Sequence, residues 1–320
     1  MRGAIAALAA GVAGGLLLAR PTRAIPYGTL AAELDETIGG DRRVFPWHHG
    51  RVVYRVAGAG TPVLLVHGIN AVASGYEMRC NFAPLAKDHR VYLPDLLGFG
   101  LSDRPALRYT SDTYVDLLVD FLREVVGEPA HVVASSLTCA YAVAIAAAHP
   151  ELVRSLVLIC PTGVERLSGP PSGGQRVADW LIGLPAIGPR LFAALISRPS
   201  IGYFLRGMTY YDEERVTPQM IDLQHRLGQR PDGRWAPQAF VGGRLNRDIA
   251  AAFAGLEQPA ALVWGRQAGR VAPLSDAPAF LERNPSAILK VFDEAQLVPH
   301  DEQAEAFNIF VHQWIEEHNA

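Results

Sequence analysis

Cysteine is scarce in this sequence, three in 320 residues, and neither sign of charge dominates. Cys80, Cys139 and Cys160 are scattered, so they supply neither a disulfide framework nor a CxxC metal pair. Buried free thiols are the simplest reading, and neither a cofactor nor a metal is expected. With 29 basic against 32 acidic residues, the formal net charge is −3. That excludes the basic field on which nucleic-acid binding relies. Apolar residues make up 49% of the chain, which excludes a disordered one. At ~100–200 residues per domain, the length allows one large domain or two small ones.

The first 24 residues separate from the rest. Gly3 to Ala19 carries no charge, with Arg2 before it and Arg20 and Arg23 after it. A secretory signal has this order, although Thr22 and Ala24 make a mediocre cleavage pair. The run also approaches the ~17–25 residues that span a bilayer, which keeps a retained anchor open. Its Ala and Gly content makes insertion weak, and basic residues at both ends leave the orientation open. Both readings make residues 1–24 a signal or anchor and place the protein at or beyond a membrane; a retained anchor would associate it through residues 3–19. A misassigned start would leave it cytoplasmic.

From about Arg43 onward, short Val- and Leu-rich runs alternate with helical stretches, the pattern of a mostly parallel sheet with helices on both faces. The expected strands are Arg51–Ala57, Pro62–Val66, Arg90–Pro94, His131–Ser135, Ser155–Cys160, Ala260–Trp264 and Ala287–Phe292. Helices are expected over Thr113–Val126, Leu137–Ala148 and Glu302–His318; the second is apolar nearly all round and should be buried. Residues 163–256 show helical patterns and Pro/Gly-rich turns but no convincing strand. The expected organisation is therefore a core over 25–162 and 257–320, interrupted by a helical insertion over 163–256. No internal repeat is visible.

In such a sheet the chemistry lies where strands end and helices begin. Two turns stand out: Leu65-Val66-His67-Gly68-Ile69-Asn70, and Val133-Ala134-Ser135-Ser136-Leu137-Thr138. A serine at the second sits above a helix N-terminus, whose backbone N–H groups can stabilise an anion. Small residues two before and two after it allow close packing; Ala134 meets that demand and Thr138 meets it poorly. A plain helix cap is the competing reading.

These turns, with Asp95-Leu96-Leu97-Gly98-Phe99-Gly100-Leu101-Ser102-Asp103 and Val263-Trp264-Gly265-Arg266, resemble four ordered motifs of the α/β-hydrolase superfamily, in its lid-bearing esterase, lipase and haloalkane dehalogenase-like group. The resemblance runs from about Arg51 to the C-terminus. It implies an α/β-hydrolase fold, Ser136 at the nucleophile elbow, oxyanion N–H groups from Ile69 and Leu137, and residues 163–256 as a helical lid. The function it implies is a serine hydrolase of the ester or lipid type.

Two departures count against ordinary triad chemistry. The family's catalytic aspartate aligns with Ala268, in a loop that carries one extra residue, and its catalytic histidine aligns with Leu297. Losing the base of a triad costs on the order of 10⁶ in turnover, roughly 8 kcal/mol of barrier. His300, three residues on, is a candidate substitute base, and His225 and His67 are weaker ones. Asp95 and Asp103 read as loop structure, and Tyr76, Tyr141, Tyr210 and Tyr211 as ordinary packing. No acidic residue follows the Ser155–Cys160 run before Glu165.

Three functions stay open. A hydrolase with a rebuilt triad requires a histidine within ~3–4 Å of the Ser136 hydroxyl. A catalytically silent member, binding a small apolar molecule, an ester or a partner under its lid, requires an apolar pocket with no base near Ser136. A cofactor-free lyase or isomerase would use the oxyanion hole alone.

Overall fold

The computed structural model describes residues 26–319, so the signal or anchor reading of residues 1–24 lies outside the described residues. Eight strands form one sheet: β1 (Asp41–Trp47), β2 (Gly50–Ala57), β3 (Pro62–Val66), β4 (Arg90–Pro94), β5 (Ala130–Ser135), β6 (Val153–Ile159), β7 (Ala260–Gly265) and β8 (Ile288–Phe292). Their spatial order is β1-β2-β4-β3-β5-β6-β7-β8. β1 and β2 pair antiparallel and so do β2 and β4, while every other neighbouring pair is parallel. The parallel strands at the centre are buried end to end, which is why they read as unbroken apolar runs.

The expected strands correspond to β2 through β8 with shifts of one or two residues at their ends. β1 was not expected. Its residues Asp41, Arg42, Arg43, Val44 and Pro46 are exposed, so it lacks the alternation of a half-buried strand and is an edge strand that tolerates proline. An amphipathic helix over Tyr27–Ile38 precedes it and buries Leu30, Ala31, Leu34 and Ile38.

The expected helix over Thr113–Val126 begins earlier, at Ser111, capped by the Thr110 side chain, and passes into a single π-turn over Leu122–Val126. The expected Glu302–His318 helix is two helices, Pro299–Glu302 and Ala304–Glu317, broken at Gln303. Between β6 and β7 the chain is helical and contains no strand, with helices at Gly173–Gly183, Gly188–Leu195, Arg198–Phe204, Pro218–Gly228, Trp235–Val241 and Ala250–Ala254. Ion pairs fasten this excursion to the core. Arg226 pairs with Glu33 at 2.6 Å, and Arg247 with Asp112 at 2.6 Å. Among the described residues, no single helix is long and apolar enough to cross a membrane.

Candidate active site

At the carboxyl end of β5 the chain makes a sharp turn into the buried helix Thr138–Ala148. Ser136 stands at its apex with φ 58°, a left-handed conformation that costs a non-glycine residue of order 1–3 kcal/mol. Its backbone N–H donates to Ile159 O on β6 at 2.8 Å. Thr138 closes the turn instead of crowding it, contrary to the expectation for that position. Its hydroxyl donates to Ser135 O at 2.8 Å and accepts the Ser135 N–H at 3.2 Å.

Beside the elbow, β3 ends in the His67-Gly68-Ile69 turn. The buried His67 ring accepts the Leu96 N–H on Nε2 at 3.1 Å, which puts its proton on Nδ1, where it donates to Gly68 O at 2.7 Å. Both nitrogens are committed, so His67 holds the loop and has no lone pair for Ser136. Among the described residues, neither the Ile69 nor the Leu137 N–H is bonded to a backbone or side-chain acceptor, as an oxyanion hole requires. Asp95 accepts the N–H groups of Gly75 and Leu101, and Asp103 that of Arg51, so both are loop structure.

The loops that hold Ala268 and Leu297, the positions aligned with the family's acid and base, cross each other, with Gln267 N–H donating to Ala295 O at 3.0 Å. Ala268 is buried in a turn after β7, its N–H on Gly265 O at 3.0 Å. Leu297 is half-buried, and its backbone N–H donates to Thr209 O at 3.1 Å. Glu302 clamps this loop from below: its carboxylate accepts Gln296 N–H at 2.7 Å and Tyr211 N–H at 2.6 Å. Asp301 is the second tie, paired with Arg79 at 2.8 Å and accepting the Tyr210 hydroxyl. Burial works against the Arg79 charge, yet Asp301 holds the guanidinium above its ordinary value.

His300 is turned fully inward, and no hydrogen bond reaches either ring nitrogen. Its Nε2 lies 3.6 Å from Glu77 Oε1, and burial lowers its pKa although Glu77 opposes the shift. Glu77 in turn accepts the Gly68 N–H at 3.1 Å. A Cβ on Gly68 would stand 3.3 Å from both Glu77 Oε2 and Ser135 Oγ, so Glu77 lies against the His67-Gly68-Ile69 turn, close to Ser135. His225 is buried with Nδ1 on Ile196 O at 2.7 Å. Glu165 is exposed. Among the described residues no imidazole hydrogen-bonds the Ser136 hydroxyl.

Sequence reasoning missed Glu77, Asp301 and Glu302. The run Pro299-His300-Asp301-Glu302 was visible, but nothing local shows that two of its carboxylates bind the segment at Tyr210 and Tyr211. Of the cavities, one of about 600 Å³ opens at the amino edge of the sheet among Gly40, Tyr54, Gly58, Arg90 and Val126, and a second of about 10 Å³ lies beside Leu34 and Gly75. Neither touches Ser136. Over the Leu297 loop, Val72, Tyr76 and Val298 pack with Ile201, Leu205, Tyr210 and Met220 from the helical excursion.

The family profile described as "Alpha/beta hydrolase family" matches residues 63–308. The chain belongs to the α/β hydrolase family. Among its relatives is the 2-hydroxymuconate semialdehyde hydrolase of Pseudomonas sp. (strain CF600), 42% identical over 110 residues, 34% of this chain and 39% of that protein. The enzyme of the same name from Pseudomonas putida is 27% identical over 272 residues, 82% of this chain and 90% of its own length. A solved structure of a meta-cleavage product hydrolase from Pseudomonas fluorescens IP01 superposes with a TM-score of 0.70 at 24% identity, over 86% of this chain and 97% of its own. At that identity the likeness speaks for the α/β hydrolase fold alone.

Proposed function

We propose that this chain is a non-hydrolytic α/β hydrolase that admits a small, mostly apolar carbonyl or carboxylate compound to the Ser136 elbow when residues 163–256, acting as a lid, move aside, since neither cavity described above reaches Ser136. The observation that carries the reading is Leu297 at the base position, with its N–H tied to Thr209 and no imidazole bonded to Ser136. A serine hydroxyl is a weak nucleophile near neutral pH and needs a base within hydrogen-bond reach. The Ile69 and Leu137 N–H groups still favour an oxygen that bears negative charge. The relatives' names add support for a carboxylate ligand, since 2-hydroxymuconate semialdehyde carries one. Residues 3–19 would either be removed as an export signal or keep the protein at a membrane.

A second reading has one observation in its favour. His300 is turned inward onto Glu77, against the oxyanion turn, where a relocated base would have its acid partner. In that reading the chain is an ester- or lipid-type serine hydrolase with Ser136 as nucleophile.

Incubating the protein with a panel of aryl esters and short keto- and dienoic acids separates the two. Ligand-dependent thermal stabilisation without turnover, reduced by a bulky Ser136→Leu change, is the expected result. Turnover abolished by both Ser136→Ala and His300→Gln supports the relocated base instead.

A further inference from the structure

At the amino edge of the sheet, opposite the elbow, a loop and the last helix bring three ligand-bearing side chains together. His89 immediately precedes β4, while His312 and Glu316 lie one turn apart on the helix Ala304–Glu317. We propose that His89, His312 and Glu316, with Asp88 as a fourth ligand, form a binding site for a divalent transition metal of the zinc class.

The two imidazoles set the geometry. His89 Nε2 and His312 Nδ1 face each other at 3.1 Å. One ligand atom from each of His89, His312 and Glu316 lies within 4.8 Å of the others. Asp88 Oδ2 is 4.0 Å from His312 Nδ1. Nitrogen and oxygen ligands at ~2.0–2.1 Å around a tetrahedral ion stand ~3.4 Å from one another. The imidazole pair is therefore already at the required separation. Only the carboxylates have to close in, and both Glu316 and Asp88 are exposed and free to do so.

Two imidazoles with two carboxylates suit zinc, cobalt, nickel or copper better than calcium or magnesium, which take oxygen ligands alone. A metal here would clasp the C-terminal helix to the start of β4. The sequence reading expected no metal because cysteine spacing was silent, and the ligands are 223 residues apart.

The test uses untagged full-length protein stripped with a chelator and titrated with zinc by calorimetry, and with cobalt by visible absorption. One zinc per chain, a cobalt spectrum of tetrahedral type and a zinc-dependent rise in Tm are expected. His312→Ala, at a half-exposed position, should weaken binding on the order of 100-fold, and Glu316→Gln by at least tenfold. The control His48→Ala/His49→Ala, at an exposed histidine pair elsewhere, should leave binding unchanged. No binding at micromolar zinc, or binding that survives His312→Ala, would overturn the proposal.

Discussion

Gly265, the last residue of β7, passes so close to the Gln296 loop that a Cβ there would stand 2.2 Å from Gln296 O and 2.3 Å from Ala295 O. The two loops that carry the acid and base in the resembling family therefore still cross. Gln267 N–H on Ala295 O at 3.0 Å, and Ala295 N–H on the Gln267 side chain at 3.1 Å, hold that crossing.

That crossing leads to the first prediction. Ala268→Asp combined with Leu297→His should produce measurable esterase activity toward an activated aryl ester. A positioned general base contributes ~10²–10⁴ in rate, so an increase of at least ~10² over the parent is expected. Steady-state kinetics with Ser136→Ala in the same background check it, and no gain would show that the loops no longer aim at Ser136.

Gly265→Ala forces a methyl group into two backbone carbonyls that cannot rotate away. Overpacking of this kind costs about 1–3 kcal/mol, so the urea midpoint should fall with little change in slope. An unchanged midpoint would mean that the crossing is looser than the contact implies.

Glu302→Ala removes the acceptor shared by Gln296 N–H, Tyr211 N–H and Asp212 N–H. Gln296 is half-buried while Tyr211 and Asp212 are exposed to water, which replaces part of what is lost, so a stability loss of about 1 kcal/mol, the net worth of a typical hydrogen bond, is expected. Hydrogen exchange should rise at residues 209–212 before it rises in the central strands.

Stability should fall on the acid side of neutrality. Burial, reinforced by Arg154, lowers the His131 pKa to about 4. An unfolded histidine titrates near ~6.5, so between these values the unfolded chain binds more protons than the folded one. This contribution is complete above ~6.5 and is lost as pH falls toward 4. His89 and His300 shift in the same direction, also by burial. Melting at pH 7, 5.5 and 4.5 should show the decline, with a shallower slope in His131→Asn.

The central sheet was legible because β3, β4 and β5 are apolar runs bounded by turn residues, whereas the charged, proline-containing β1 gave no periodic signal. The sharp turns at Ser136 and at His67-Gly68-Ile69 were legible because each is local, a strand end running into a turn. The rest of the site was not. Glu77 meets His300 and Asp301 meets Arg79 across more than 200 residues, and such contacts leave no mark on local spacing. Thr138 was misjudged because size alone was weighed, while its hydroxyl bonds the turn it was expected to crowd.

The measurement that bears most directly on the non-hydrolytic reading is the rate at which a fluorophosphonate labels the wild-type protein, with Ser136→Ala as control. Without a base to activate Ser136, labelling should be negligible on the timescale of minutes and indistinguishable between the two proteins. Rapid labelling of the wild type, lost in Ser136→Ala, would contradict the account.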